Sequence, residues 1–323
     1  MFRRAKGQAD DFLIFFATDI HGSDVCFRKF VNAGKFYGAR VLIMGGDLTG
    51  KMLIPITPNG SGWLADYGGR KEHFETSADV DEFERLVADT GAYTYRCEED
   101  ELEQYREQNE IETLISRIAI ERVHRWIELA DERLAGSDIQ CLMAPGNDDM
   151  AGVEDAIAES ASVVNPDGQK LELPGGNEFV ATGFSNITPW HTERELTEEA
   201  LERLMAELFE QCRDTSTTVA SLHVPPFDTG IDNAPRLSAD LRVQTRGGEP
   251  DMVPVGSTAV REVIQRYQPL LGLHGHIHES HGKLKIGRTL CLNPGSEYTE
   301  GVLRGALIRL TRTEVKGVQF VKG

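Results

Sequence analysis

Five short apolar runs, at residues 12–18, 39–44, 139–145, 217–222 and 271–273, each lead into residues with donor side chains. In chain order these are Asp19-Ile20-His21, Gly45-Gly46-Asp47, Gly146-Asn147-Asp148, His223 and Gly275-His276-Ile277-His278. In an extended backbone, side chains at i and i+2 share a side, so His276 and His278 are expected to face one cavity, as are Asp19 and His21. Gly275 is expected to provide a tight turn there. Each piece alone also fits a surface or hydrogen-bonded histidine; five of them at successive strand ends make a constellation. Carboxylate, amide and imidazole groups are donors for hard and borderline divalent cations, and no C-x-x-C spacing offers a closed thiolate zinc site. A carboxylate such as Asp47 can bridge two ions, each completed by some of Asp19, His21, Asn147, His223, His276 and His278. The chemistry expected is that of a two-metal site.

The elements that must position these groups read as α/β. Residues 12–18, 24–37 and 39–44 give strand, helix, strand, with Ser23 as N-cap and Gly38 as stop. Ligands of open α/β sheets gather at the carboxyl ends of strands, which is where the donors fall. Residues 51–138 interrupt this rhythm. Asn59-Gly60-Ser61-Gly62 predicts a hairpin, Asp79-x-x-Glu82 a capping box, and residues 98–134 a helical pattern with an apolar stripe. One unbroken helix there would be roughly 55 Å long, so a break or a protruding arm, serving as a lid or a dimer contact, is expected. Further on, residues 178–184 read as a strand, 197–212 as an amphipathic helix and 225–256 as a long ordered loop over the site. Ser257 caps a helix through Tyr267, and alternating residues 306–310 and 315–321 close the fold with antiparallel strands. No internal repeat or linker separates these pieces, so one domain over residues 1–323, with an insertion at 51–138, is expected.

Composition limits the partners. The 323 residues, 40% of them hydrophobic, are ample for a buried core, and no apolar run approaches the roughly 18 residues of a membrane span. The basic opening at residues 1–6 is followed by Asp10-Asp11 without a signal-peptide cleavage pattern, so a cytoplasmic location is expected. Five scattered cysteines argue against a disulfide framework. A net charge of −18 argues against extensive nucleic-acid binding or attraction to anionic membranes.

Read together, D-x-H, G-D, G-N-D, H and G-H-x-H resemble the calcineurin-like metallophosphoesterases, matching that pattern in order over most of the chain except residues 51–138. The resemblance implies two mixed sheets packed face to face with helices outside. It also implies that Asp19, His21 and His278 hold one metal, Asn147, His223 and His276 the other, and that Asp47 bridges. Two divalent ions are then expected, Mn²⁺ first, with Fe, Zn, Ni or Mg as alternatives. The activity implied is hydrolysis of a phosphate ester, in a small molecule or nucleotide, by in-line attack of metal-bound hydroxide.

One residue departs from the commonest family pattern. Where many members have histidine, proposed as acid for the leaving oxygen, this chain has Asp148. An aspartate, ordinarily near pKa 3.9 and pushed lower by neighbouring cations, is a poor proton donor at pH 7. A phosphodiesterase for esters with good leaving groups is therefore expected over an alkyl monoesterase, with Asn147 and Asp148 as the catalytic candidates. The competing expectation is an interaction module of weak or no turnover, docking a partner or a second copy through the insertion. His274 reads as a hydrogen-bonded structural residue, His191 and His281 as surface groups within reach of substrate, and Arg236, Arg242 and Arg246 as solvated or phosphate-holding.

Overall fold

Successive side chains of a strand point to opposite faces, and both faces of Phe12–Ala17 are apolar, so this strand must be covered twice. Ile14 and Phe16 enter one core, and Phe15 and Ala17 another. A computed structural model describes residues 11–323 and shows the covering layers; the basic opening at residues 1–6, and Asp10, lie outside the described residues. The first sheet has the spatial order Val315–Lys322, Arg304–Leu310, Phe12–Ala17, Val41–Met44, Gln140–Met143, Val163–Val164. Its last four strands are parallel, and the first two pair antiparallel. The second sheet runs Gly282–Ile286, Thr289–Asn293, Leu271–Leu273, Val219–Leu222, Glu178–Thr182, Lys170–Glu172, with its middle four strands parallel.

The sheets meet face to face. Ile14, Phe16, Val41, Ile43 and Leu142 pack against Phe179, Ala181, Val219, Leu271, Leu273 and Leu292. Burying each of the larger side chains contributes roughly 1.5–3 kcal/mol relative to leaving it in water. Helices Asp24–Tyr37, Ile111–Leu134 and Val153–Ala158 cover the outside of the first sheet, and Glu198–Glu210 and Thr258–Tyr267 that of the second. The two packed mixed sheets flanked by helices that the resemblance implies are therefore the ones observed. Helix ends follow local chemistry: Ser23 Oγ accepts from Cys26 N at 3.3 Å, Gly38 ends the first helix at φ 70°, and Ser257 Oγ accepts from Val260 N at 3.2 Å.

Between Met44 and Gln140 the chain builds a further sheet, ordered Arg70–Phe74, Gly62–Tyr67, Leu53–Asn59, Tyr93–Arg96, with helix Ser77–Asp89 against it. Its small core comprises Ile54, Ile56, Ala65, Val80, Phe83 and Val87. The hairpin falls at Gly60-Ser61 as the Asn-Gly signal predicts, whereas the short, charged Arg70–Phe74 strand carries no apolar alternation to announce it. The capping box lies three residues earlier than expected. Thr76 Oγ1 accepts from Asp79 N at 3.2 Å, and Asp79 Oδ2 accepts from Thr76 N at 2.9 Å, because Asp79 is the third helical residue rather than the cap.

The long helical pattern breaks into Glu99–Glu107 and Ile111–Leu134, with Asn109 in the left-handed region at φ 56° between them. The second helix is packed, not protruding: Leu114, Ala119, Val123, Trp126, Ile127 and Ala130 are buried along it. Trp126 stacks on Phe27 at 4.5 Å and donates to Asp24 Oδ1 at 2.6 Å. From the same helix the buried Arg122 lies over the Tyr93 ring and donates to Gly22 O at 2.7 Å and Ala92 O at 3.0 Å. This residue ties the helix to the turn that follows His21. Residues 225–256, expected as a long ordered loop, contain two short antiparallel pairings, Asn233–Pro235 with Met252–Pro254 and Thr245–Arg246 with Glu249–Pro250. All five cysteines are free, and no helix among the described residues is long and apolar enough to cross a membrane.

Candidate metal centre

Parallel strands of both sheets end on the same side of the sandwich, and their last residues bring the donors together. Asp19, His21, Asp47 and His278 form one group and Asp47, His223 and His276 a second; within each group one donor atom per residue lies within 4.8 Å of the others. Asp47 belongs to both groups. Asn147 stands at the end of Gln140–Met143, buried, with its Oδ1 lacking any hydrogen-bond partner. The neighbouring amide, Asp148 N, donates to Asp47 Oδ1 at 3.0 Å, so the Asn147 turn is pinned to the shared carboxylate.

The convergence is achieved differently from strand alternation. The strand Leu271–Leu273 stops before His274, and His276 is left-handed at φ 64°; Asp19, His21 and Asp47 have φ values of 54°, 38° and 49°. Such conformations cost non-glycine residues energy and persist where the surroundings over-determine them. His276 and His278 consequently fall into different groups, His276 beside His223 with ring centroids 5.4 Å apart and His278 beside His21 with Nε2 atoms 3.0 Å apart. The tight turn expected at Gly275 is present, Ile277 N donating to Gly275 O at 2.7 Å, with the left-handed residue at His276, and Gly275 has a second part. A Cβ at this position would lie 2.2 Å from Thr18 Oγ1 and 2.4 Å from Asp19 Oδ2, so glycine admits the close approach of Asp19, which accepts from His276 N at 3.0 Å. Gly46 does the same for His223, whose Nδ1 would be 2.4 Å from an added Cβ.

The donor set fits divalent cations. His223 Nδ1–H donates to Gly45 O at 2.9 Å, which turns Nε2 toward Asp47 Oδ2, 3.3 Å away, and leaves Nε2 buried without a hydrogen-bond partner. A backbone carbonyl fixing the far ring nitrogen is the usual support of a metal-binding imidazole. Two imidazole Nε2 atoms at 3.0 Å and an imidazole facing a carboxylate are arrangements that a shared proton or a cation stabilises. The charges of these groups are opposed in the same way. Burial would raise the Asp47 carboxyl, yet His223, His21 and His276 together hold it far below the usual range. Burial similarly opposes Asp19, which ends lowered through His278 and His223. Burial acts against charge on His223, but Asp47 and Asp19 prevail and lift it to about 9; burial and then the His223 charge push His276 down to about 4.

Asp148 lies at the rim of this cluster, ion-paired with Lys51 and with its Oδ2 3.8 Å from His21 Nδ1. Its carboxyl is raised above the ordinary value, by burial first and by Asp47 second, against the pull of Lys51 and His21. This is the balance of the protein's own groups, desolvation and a second carboxylate outweighing Lys51 and His21; the lowering expected of Asp148 belongs to bound metal cations. The Tyr298 ring packs against His21 and His278 with centroids at 4.8 and 5.9 Å. Arg236 and Arg246 face Asp251, and Arg242 faces Asp240, so the loop arginines are matched by acids. His191 is exposed at φ 51°, and the His281 ring packs on Phe320 at 4.2 Å.

Buried groups hold the loops, and sequence reading assigned no role to Asp149 among them. Asp149 accepts from Gly146 N, Leu48 N, Thr49 N and Thr49 Oγ1 at 2.6–2.9 Å, clamping the Asp47 and Asn147 turns together. Asn293 Nδ2 donates to Gly275 O at 3.2 Å and Ile277 O at 3.0 Å, and Ser296 Oγ to Asp19 O at 2.6 Å. Their only signal was position beside a candidate donor or at a strand end.

His274 is fully buried, donates from Nδ1 to Leu222 O at 2.7 Å, and is held by burial at about 4 rather than 6.5. The unfolded chain binds this proton near pH 6.5 and the folded chain does not, so the associated stability is present above pH 6.5 and is lost as pH falls toward 4. Between pH 7 and 5 the wild type should lose about 2 kcal/mol more than His274→Asn in urea unfolding. Equal losses in the two proteins would assign no such role to His274.

No family model matches the chain. The uncharacterized protein MJ1162 of Methanocaldococcus jannaschii is 29% identical over 177 residues, covering 54% of this chain and 70% of that protein. A solved crystal structure aligns over 96% of this chain and 99% of its own at a TM-score of 0.57 with 14% identity. The structure of TT1561 from Thermus thermophilus aligns over 97% and 99% respectively, at a TM-score of 0.49 with 14% identity. At 14% identity the likeness to the first of these structures is one of fold. The protein shares the fold of the first of these structures, two mixed sheets packed face to face with helices outside, and carries a buried His/Asp cluster at its strand ends that could bind metal.

Proposed function

We propose that the protein is a dinuclear metal-dependent phosphoesterase, acting on phosphodiesters with good leaving groups. The observation that carries this reading is Asp47, one carboxylate common to two adjoining donor groups. Asp19, His21, Asp47 and His278 would hold one cation, and Asp47, Asn147, His223 and His276 the other, with Mn²⁺ the first candidate. When bound, such a pair supplies an activated water and neutralises charge on the phosphoryl oxygens. The chain's own residues do the rest. Gly45 and Asp148 N orient His223 and Asp47. Tyr298 walls the His21 side, and Lys51 places a cation at the rim within reach of an anionic substrate. Asp148, paired with Lys51, lacks the proton-donating imidazole that would assist a poor leaving group.

EDTA-stripped protein should hydrolyse bis(p-nitrophenyl) phosphate only after Mn²⁺ is returned; the absence of turnover with several divalent metals would sink the enzyme reading. The leaving-group argument has its own check. Asp148→His should raise the rate on an alkyl ester relative to the aryl ester by about 10-fold or more, within the usual reach of general acid catalysis. An unchanged ratio would remove Asp148 from the account of specificity.

A further inference from the structure

The loop after Ser185–Asn186 returns to the metal centre through a single side chain. Asn147 Nδ2 donates to Thr192 Oγ1 at 2.8 Å. Thr192 Oγ1 in turn donates its one proton to Glu195 Oε1 at 2.7 Å. The direction of this chain is forced by chemistry. A carboxylate can only accept, so the threonine proton is committed to Glu195, and the lone pairs of Oγ1 are left for Asn147. The Asn147 amide therefore has one orientation, nitrogen toward Thr192 and oxygen away from it. That oxygen, Oδ1, is the buried atom with no hydrogen-bond partner.

Glu195 is itself fixed. Oε1 also accepts from Thr188 Oγ1 at 2.5 Å and Thr192 N at 3.0 Å, and Oε2 accepts from Thr188 N at 3.0 Å. Backbone contacts add to the tie, since Arg194 N donates to Asn147 O at 3.4 Å and Ser185 N to Arg194 O at 3.2 Å. The Arg194 guanidinium lies 4.4 Å from the Phe184 ring and pairs with Glu154 and Asp167 on either side. The loop is thus braced independently of the hydroxyl that reaches Asn147.

From this we infer that Thr192 and Glu195 are positioning residues for the metal centre: they select the rotamer of Asn147 that presents Oδ1, rather than the amide nitrogen, to a cation. An amide nitrogen has no lone pair to offer a metal, so the flipped rotamer would delete one donor from the His223 and His276 side of the centre. The inference rests on the dinuclear reading given above, and its test separates the two.

The probe is Mn²⁺ alone, titrated calorimetrically into EDTA-stripped protein, with thermal melts of each variant alongside. The wild type and Thr192→Ser, which keeps the hydroxyl, should take up two equivalents with matching affinities. Thr192→Val should bind one equivalent as the wild type does and the other about 10–100-fold more weakly, the effect usual for groups that orient a metal ligand. Thr192→Ala removes the same hydroxyl with less crowding and carries the test if the valine variant melts early. In an Asn147→Ala background, Thr192→Val should add nothing further, whereas a loop that merely stabilised the fold would weaken binding in both backgrounds. Native two-equivalent binding by Thr192→Val and Thr192→Ala, or additive losses with Asn147→Ala, overturns the inference and leaves the dinuclear reading standing. A wild type that binds no Mn²⁺ overturns both.

Discussion

Replacing Asp47 by asparagine is expected to lower Mn²⁺-dependent phosphodiester hydrolysis by about 10³-fold or more. Each 1.4 kcal/mol of lost transition-state stabilisation is about tenfold in rate, and a metal pair contributes several kcal/mol. Asp47 is the one residue common to both donor groups, so its loss strikes both sides, whereas substitution of His21 or His276 strikes one. The asparagine is nearly isosteric and its Oδ1 can still accept from Asp148 N, so the turn should survive. What disappears is the negative charge that pulls His223 up to about 9. Rates on an aryl diester and Mn²⁺ stoichiometry, measured on the same preparations, check this. Wild-type rates in the variant would exclude a shared carboxylate at the centre of the chemistry.

The second large effect is expected from one methyl group. In Gly275→Ala the added Cβ must displace Thr18 Oγ1, 2.2 Å away, or Asp19 Oδ2, 2.4 Å away. The Asp19 carboxylate cannot yield freely. Asp19 is fully buried and accepts from His276 N through both carboxylate oxygens, at 3.0 and 3.1 Å. Gly275 N is itself held to His223 O at 2.8 Å. The strain should cost about 1–3 kcal/mol of stability, as overpacking does in close-packed interiors. It should also weaken Mn²⁺ binding by about 10–100-fold through the shifted Asp19. Urea unfolding and Mn²⁺ calorimetry on the one variant separate the two effects. Native Mn²⁺ affinity with reduced stability would show that His276 and Asp19 move together without losing their geometry.

These two positions mark the boundary of what spacing encodes. The sequence by itself determined the central strands, several helix caps and the donor types. Doubly apolar runs such as Phe12–Ala17 can exist only between two cores, Ser23 and Ser257 answer local amide groups, and Gly38 ends a helix through its own backbone freedom. All of these are interactions within a few residues, which periodicity and residue type carry directly.

The reach of each donor was decided by tertiary structure. His276 and His278 look like a strand pair facing one way, but the left-handed turn at His276, held by Asp19 from the first sheet, sends them into different groups. Gly275, which opens the expected turn, also leaves the gap for the Asp19 carboxylate at the far end of the chain. Lys51 meets Asp148 across 97 residues, Thr192 meets Asn147 across 45, and Asp149 binds Thr49 across 100. No local pattern records such pairs, because sequence spacing fixes direction only along one element. Burial and hydrogen-bond satisfaction are settled by whichever elements the packed sheets bring face to face.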